Sequence, residues 1–284
     1  MRLRELVEHA SQKFAEAGID SAQNDAELLA GFILGLNRGG VQSALIIDTE
    51  ITDEQAEKIT DLYGRRLQRE PLQHITGLAY FRNLELGVGR GVFIPRPETE
   101  FVAQLAIDAL RAVAVAEPIA ADLGTGSGAI ALSMATEVPN AKVFAVEKSD
   151  EAIEFTRANF KKYESSGATL IHGDLADAFH ELDGQVSVLV SNPPYIPADA
   201  IPRDVEVHLH DPALALYGGA DGLDVIRVVS QVGQRLLVSG GTLIIEHADS
   251  QSEQVVQLLL ADGWRQVRAH RDLTGRDRAV TAIR

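Results

Sequence analysis

The chain has 284 residues, 45% hydrophobic and 24% charged, with no cysteine and a formal net charge of −15 from 26 basic and 41 acidic side chains. That leaves enough chain for one large domain or two, and it excludes disulfides, thiolate metal sites and a cysteine nucleophile. Gripping a phosphate backbone takes clustered Lys and Arg, so the acidic balance argues against nucleic acid as the main ligand.

No apolar run reaches about 18 residues, so no membrane-spanning helix and no membrane partner are expected. The first 18 residues carry acidic side chains within their apolar pattern and lack a small-residue cleavage site. They predict a helix of the mature protein and, with cysteine absent, a cytoplasmic location. In that helix Leu3, Leu6, Val7, Ala10 and Phe14 recur at i, i+3, i+4, and Gly18 ends the pattern. Ala26, Leu28, Leu29, Phe32, Ile33 and Leu36 predict a second, very apolar helix. Thr52-Asp53-Glu54-Gln55 reads as a capping box opening a third, which Pro71 stops. Residues 1–72 are therefore expected to form a small helical bundle. The densest basic stretch, Arg65, Arg66 and Arg69, is expected to be a solvated helix face.

From residue 78 the period changes. Leu84, Leu86 and Val88 alternate with Glu85 and Gly87, and a turn at Gly89 and Gly91 leads to Val92-Phe93-Ile94. This predicts a β-hairpin in a linker over 73–95. Pro95 and Pro97 bracket Arg96, then Glu98 and Glu100 precede an apolar helix over 101–113. Strands are predicted at 118–123, 141–146, 168–172, 186–190, 241–247, 264–270 and 278–283. Helices are predicted at 129–136, 150–162, 221–237 and 250–261. Alternation of this kind argues for an α/β, doubly wound, mostly parallel sheet over 96–284. The short polar turn 272–277 should make the last two strands an antiparallel hairpin.

Ligands of such sheets bind at the carboxyl ends of strands, near the point where strand order reverses. Three strand ends carry unusual residues. The first reads Asp122-Leu123-Gly124-Thr125-Gly126-Ser127-Gly128. Its glycines permit a tight turn and close approach of a ligand to backbone, with a helix N-terminus behind. The second is Glu147, 21 residues past Gly126, whose carboxylate can accept hydrogen bonds from both hydroxyls of a ribose. Together they indicate an adenosine-type nucleoside without separating NAD from S-adenosylmethionine. A carboxylate at Asp122 would repel a pyrophosphate and tolerate a sulfonium, which favours the latter.

The third strand end is Ser191-Asn192-Pro193-Pro194-Tyr195, after the apolar run 186–190. Neither proline can donate to the ladder and each fixes its own φ, so the chain leaves the sheet stiffly. A Pro-stiffened loop is the bland alternative. Methyl transfer to a planar nitrogen is the functional one. Such a nitrogen is a poor nucleophile because its lone pair is delocalised. The Asn192 side-chain oxygen and the Pro193 carbonyl can accept its two N–H bonds and aim the lone pair, with Pro194 limiting motion and Tyr195 stacking on the planar group.

The wider sequence then narrows the choice. REPLQHITG (69–77), FIPRPETE (93–100), DLGTGSGAIAL (122–132), SNPPYI (191–196), ALYGGADGLDVI (215–226) and DLTGRDR (272–278) occur in this order. On these residues the chain resembles the bacterial release-factor glutamine methyltransferases, the HemK-type protein-(glutamine-N5) methyltransferases. The resemblance implies a seven-stranded class I methyltransferase sheet, S-adenosyl-L-methionine as donor, and class I peptide chain release factors as partner and substrate. The acceptor would be the side-chain amide of the glutamine in their Gly-Gly-Gln motif. Carried over by position, Gly124, Thr125, Gly126, Ser127 and Gly128 line the methionine part of the donor, and Glu147 binds its ribose. Asp174 and Leu175 lie beside adenine, Asn192 adjoins the donor, and Asn192 to Tyr195 hold the glutamine amide. Arg96, Glu98 and Glu100 play a supporting part. Leu175 replaces an aromatic residue of many relatives, His210-Asp211-Pro212 a common Glu-Pro, and Ala248 a frequent Gly.

Asn-Pro-Pro-Tyr is shared with amino-methyltransferases of adenine N6 or guanine N2, so a DNA or RNA methyltransferase stays open as the alternative, and a non-catalytic donor-binding protein as another. His208 and His210, read as sharing a strand face, lack a visible third ligand, and no metal is expected. Trp264 reads as core, and Arg271, Arg276 and Arg278 have no partner assignable from sequence.

Overall fold

Helix-period apolar spacing gives way to strand-period spacing near residue 78, and the computed structural model, described for residues 1–202 and 204–284, divides there too. One unit comprises residues 1–77 with the segment ending at His210; the other holds the remaining chain.

The first unit contains α1 (Leu3–Glu16), α2 (Ala22–Leu34), α3 (Arg38–Ile46), α4 (Asp53–Leu67) and α5 (Leu72–Thr76). Leu3, Phe14, Leu29 and Ile59 are fully buried. Phe14 meets Tyr63 edge to face at 5.5 Å, and the Tyr63 hydroxyl donates to the Ala26 carbonyl at 2.9 Å. The Thr52–Gln55 capping box forms as read. α2 ends before Leu36 because Gly35 turns left-handed (φ 67°), and Leu28, Phe32 and Leu36 stay exposed. α3 was hidden by Gly39-Gly40; Asn37 caps it, accepting from the Gly40 N–H at 2.8 Å.

The arginine stretch is not the solvated face expected. Ile59, Tyr63 and Arg66 share the inner face of α4 at i, i+4, i+7, and all are buried. Arg66 pairs with Asp25 at 2.7 Å and with Glu206 at 2.9 Å, while Arg69 joins Glu206 at 2.9 Å. Only Arg65, paired with Glu70, follows the expectation. Glu206 lies on α6 (Val205–His210), so His208 and His210 are helical rather than on a strand.

In the second unit the hairpin lies earlier than predicted. β1 (Leu78–Phe81) pairs with β2 (Leu84–Gly87), Phe81 opposite Leu84. Val92, Phe93 and Ile94 form no strand. Val92 and Ile94 are buried with Ala79 and Val88, so packing rather than pairing explains their apolar character. α7 (Pro97–Ala112) starts four residues before the predicted helix, with Pro97 at its first position and Glu98 and Glu100 in its first turn.

Then follow β3 (Ile119–Leu123), α8 (Ala129–Glu137), β4 (Lys142–Glu147), α9 (Ala152–Lys162), β5 (Thr169–His172) and β6 (Val186–Ser191). α10 (Ala213–Leu216), α11 (Asp224–Leu236), β7 (Leu237–Glu246), α12 (Ser252–Ala261), β8 (Arg265–Arg271) and β9 (Asp277–Ile283) complete the chain. The seven-stranded sheet runs β5-β4-β3-β6-β7-β9-β8. Its first five strands are parallel, and β9 is antiparallel to β7 and β8. Side-chain alternation serves two cores. Ala120, Val188, Val190 and Ile244 face α7 and α8; Ala121, Leu123, Leu189, Leu243 and Ile245 face α11 and α12. Trp264 is core as read, its indole N–H donating to Ser230 at 2.8 Å. Arg271 and Arg278 gain partners in Asp277 and Asp272. Among the described residues, no helix is long and apolar enough to cross a membrane.

Candidate active site

β5, β4, β3 and β6 lie side by side and parallel, so their carboxyl ends share one edge, and strand order reverses between β3 and β6. Residues 124–128, Glu147, Asp174, Leu175 and 192–195 lie at the ends of these four strands, whereas Arg96, Glu98 and Glu100 lie at the start of α7.

After β3, the Gly124 and Thr125 N–H groups donate to the Val146 carbonyl of β4 at 3.0 and 2.9 Å. Gly124 and Gly126 have positive φ, and a Cβ added at either meets nothing within 4 Å. Their backbone is bare toward open space. Gly128 differs, since a Cβ there would stand 2.8 Å from the Phe160 ring. α9 fixes the loop from behind. Thr156 Oγ1 donates to the Gly126 carbonyl at 2.6 Å and Asn159 Nδ2 to the Ser127 carbonyl at 2.9 Å.

Asp122 turns inward. Its Oδ2 accepts from Thr125 Oγ1 at 2.6 Å and from the Ala131 N–H at 3.1 Å. Burial pushes its carboxyl up to about 7, against those two bonds and reinforced by the charge of Glu147. A group near half-neutral at pH 7 is a weaker repellent of pyrophosphate than the sequence suggested.

Glu147 is buried, with Oε2 accepting from the Gly126 N–H at 2.8 Å and Oε1 from the Ser149 N–H at 2.7 Å. Each oxygen keeps a second lone pair. After β5, Asp174 pairs with Lys148 at 2.8 Å and accepts from the Ala176 N–H. The Lys148 bond, then the backbone bond, hold its carboxyl below the usual range. Leu175 is half-buried against the α11–α12 core.

After β6, Asn192 Nδ2 donates to Thr99 Oγ1 at 3.3 Å. Among the described residues neither Asn192 Oδ1 nor the Pro193 carbonyl takes a hydrogen bond. The Tyr195 hydroxyl donates to Glu246 Oε1 over a long 3.5 Å. Burial, then the charge of Glu246, raise the phenol above its ordinary value, so Tyr195 is neutral and not a base. Beneath this loop, Cβ atoms at Gly218 and Gly222 would stand 2.5 Å from the Pro194 carbonyl oxygen and 2.2 Å from that of Tyr195. Gln251 Nε2 donates to the Tyr195 carbonyl at 2.9 Å. Gly218 and Gly222 belong to the GGADG motif and Thr99 to the RPETE stretch already noted, whereas no local signal marked Glu246 or Gln251 as neighbours of the loop.

Comparison with known proteins bears on the family of the chain. Residues 5–77 match the family described as PrmC N-terminal domain, and 85–214 the methyltransferase small domain. The chain is 48% identical to the release factor glutamine methyltransferase of Streptomyces coelicolor over 97% of this chain and 96% of that protein. It is 36% identical to the 4-amino-L-phenylalanine/4-methylamino-L-phenylalanine methyltransferase of Streptomyces pristinaespiralis over 99% and 95%. The T. thermophilus 16S rRNA N2 G1207 methyltransferase, solved with AdoMet and guanosine, shares the fold at a TM-score of 0.52 and 18% identity, over 73% of this chain and 49% of that one. On full-length identity and both matched segments, the chain belongs to the release factor glutamine methyltransferase family and is an enzyme of that methyltransferase class.

Proposed function

We propose that the enzyme transfers a methyl group from S-adenosyl-L-methionine to the side-chain amide N5 of the glutamine in the Gly-Gly-Gln motif of class I peptide chain release factors. The observation that carries this is a pair of acceptors without partners among the described residues, Asn192 Oδ1 and the Pro193 carbonyl, directly after β6 and beside the glycine loop. Membership of the family supports the substrate.

The residues fit the donor. Backbone is bare over Gly124 and Gly126, Glu147 offers two oxygens to a ribose, and buried Asp122 Oδ1 has no partner among the described residues. Thr125, Ser127 and Gly128 shape that loop, and Asp174 and Leu175 flank the adenine side. Asn192 stands at the junction of donor and acceptor. S-adenosyl-L-methionine, when bound, supplies a methyl group on a sulfonium leaving group.

The glutamine amide nitrogen is a poor nucleophile until its lone pair is localised. Asn192 Oδ1 accepts one of its N–H bonds and the Pro193 carbonyl the other, which draws the nitrogen toward tetrahedral geometry and aims its lone pair. Pro193 and Pro194 hold those oxygens in place, and the neutral ring of Tyr195 stacks on the amide plane. No strong base is needed, because the proton leaves only after the nitrogen becomes cationic.

For Asn192→Ala we expect kcat to fall roughly 100-fold or more while the Kd for S-adenosyl-L-methionine changes little. Turnover at the wild-type rate would remove the acceptor role. DNA and RNA assayed beside the release factor test the alternative, and the net charge of −15 predicts no methyl incorporation into either.

A further inference from the structure

We infer that Thr99 and Glu246 are positioning residues that set which way the Asn192 carboxamide faces; this rests on the acceptor role proposed for Asn192. Thr99 is the third residue of α7 and is 3% exposed; Glu246 ends β7 at 2%. The Thr99 hydroxyl takes the Asn192 Nδ2 hydrogen bond at 3.3 Å and lies against the Glu246 carboxyl, where it favours the charged form. A hydroxyl has one hydrogen to give. The Glu246 carboxylate beside it can only accept, and its buried Oε2 has no partner among the described residues, so it is the acceptor open to that hydrogen. Thr99 must then accept from Asn192, so Nδ2 faces Thr99 and Oδ1 is left for substrate. The reverse orientation would set Oδ1 against Thr99, spend the hydroxyl hydrogen there, and strand a buried carboxylate.

Glu246 Oε1 also takes the long bond from Tyr195, at the other end of the Asn192–Tyr195 loop. The groups facing it are Thr99 and Glu98 of α7, Tyr195 of the loop and Arg278 of β9. Burial pushes its carboxyl up to about 7, opposed by Thr99 and Arg278 and aided by Glu98. Protonation turns Glu246 into a donor and lets the chain of hydrogen bonds reverse.

Thr99→Val keeps the shape and removes the hydroxyl, whereas Thr99→Ser keeps it. Thr99→Val is expected to lower kcat for release-factor methylation about 10- to 100-fold with donor Kd close to wild type and a lower Tm from the polar groups it strands, and Thr99→Ser to recover most of the rate. Wild-type kcat in Thr99→Val, a loss that Ser does not rescue, or a loss matched by weaker donor binding would each overturn the inference. Asn192→Ala run in parallel separates the two readings. If it turns over normally, the acceptor role and this inference fall together; if it is inactive while Thr99→Val is unaffected, only this inference falls. Should Thr99→Val not fold, the pH profile of Glu246→Gln decides. The wild type is expected to lose kcat as pH drops through about 7, and Glu246→Gln to lack that limb. A limb that persists in Glu246→Gln would overturn the assignment.

Discussion

Asp122 sits in the floor of the glycine loop with one oxygen committed to Thr125 and Ala131 and the other without a partner among the described residues. Its folded-state carboxyl lies near 7, above the ordinary 3.8, because burial disfavours the charge. The folded chain therefore keeps a proton that the unfolded chain has lost, and stability falls as pH rises through that window. Asn at 122 retains the accepting oxygen and cannot ionise. The Tm of Asp122→Asn relative to wild type should rise between about pH 5 and pH 8. Thermal melts at both pH values check this, and a constant difference would show that Asp122 does not titrate there. Tyr195→Ala should weaken release-factor binding and rate together, because the ring is both stacking face and loop anchor; unchanged KM and kcat would remove both parts. The stretch proposed to hold the acceptor was legible as a candidate because Asn192, Pro193, Pro194 and Tyr195 are adjacent in sequence and follow an apolar run. The contacts that Thr99 and Glu246 make with it were not, since they span 93 residues to Asn192 and 51 to Tyr195 respectively.

Among the elements, the loop from Gly218 to Gly222 supports the one carrying Asn192. A Cβ at Gly222 would be 2.2 Å from a backbone oxygen in a residue already at φ 76°. Gly222→Ala must move the Tyr195 carbonyl, and we expect roughly a tenfold or greater loss of kcat with donor affinity retained. Wild-type kcat would show that the two loops are not coupled. The parallel strands were legible through their apolar runs and glycine exits, as was the terminal hairpin through its polar turn. The first hairpin was misplaced because Val92 and Ile94 are apolar for burial alone. The buried role of Arg66 could not be read locally, as its carboxylates lie 41 and 140 residues away in the chain. Arg66→Ala would leave Asp25 buried and unpaired, at a cost of about 3–5 kcal/mol, seen as a lower denaturation midpoint. An unchanged midpoint would mean that water satisfies Asp25.

For the whole molecule, −15 net charge and a sheet that gathers four strand ends at one edge fit the protein acceptor proposed above. Fold class followed from alternation along the chain, and the family from motifs spread across it. The acceptor's chemistry follows from one short loop. Mass spectrometry of a release factor incubated with the enzyme and S-adenosyl-L-methionine tests this most directly. The predicted result is a single added methyl on the Gly-Gly-Gln peptide, fragmenting to the glutamine side chain and absent with Asn192→Ala. An unmodified peptide, or a methyl on any other residue, would contradict it.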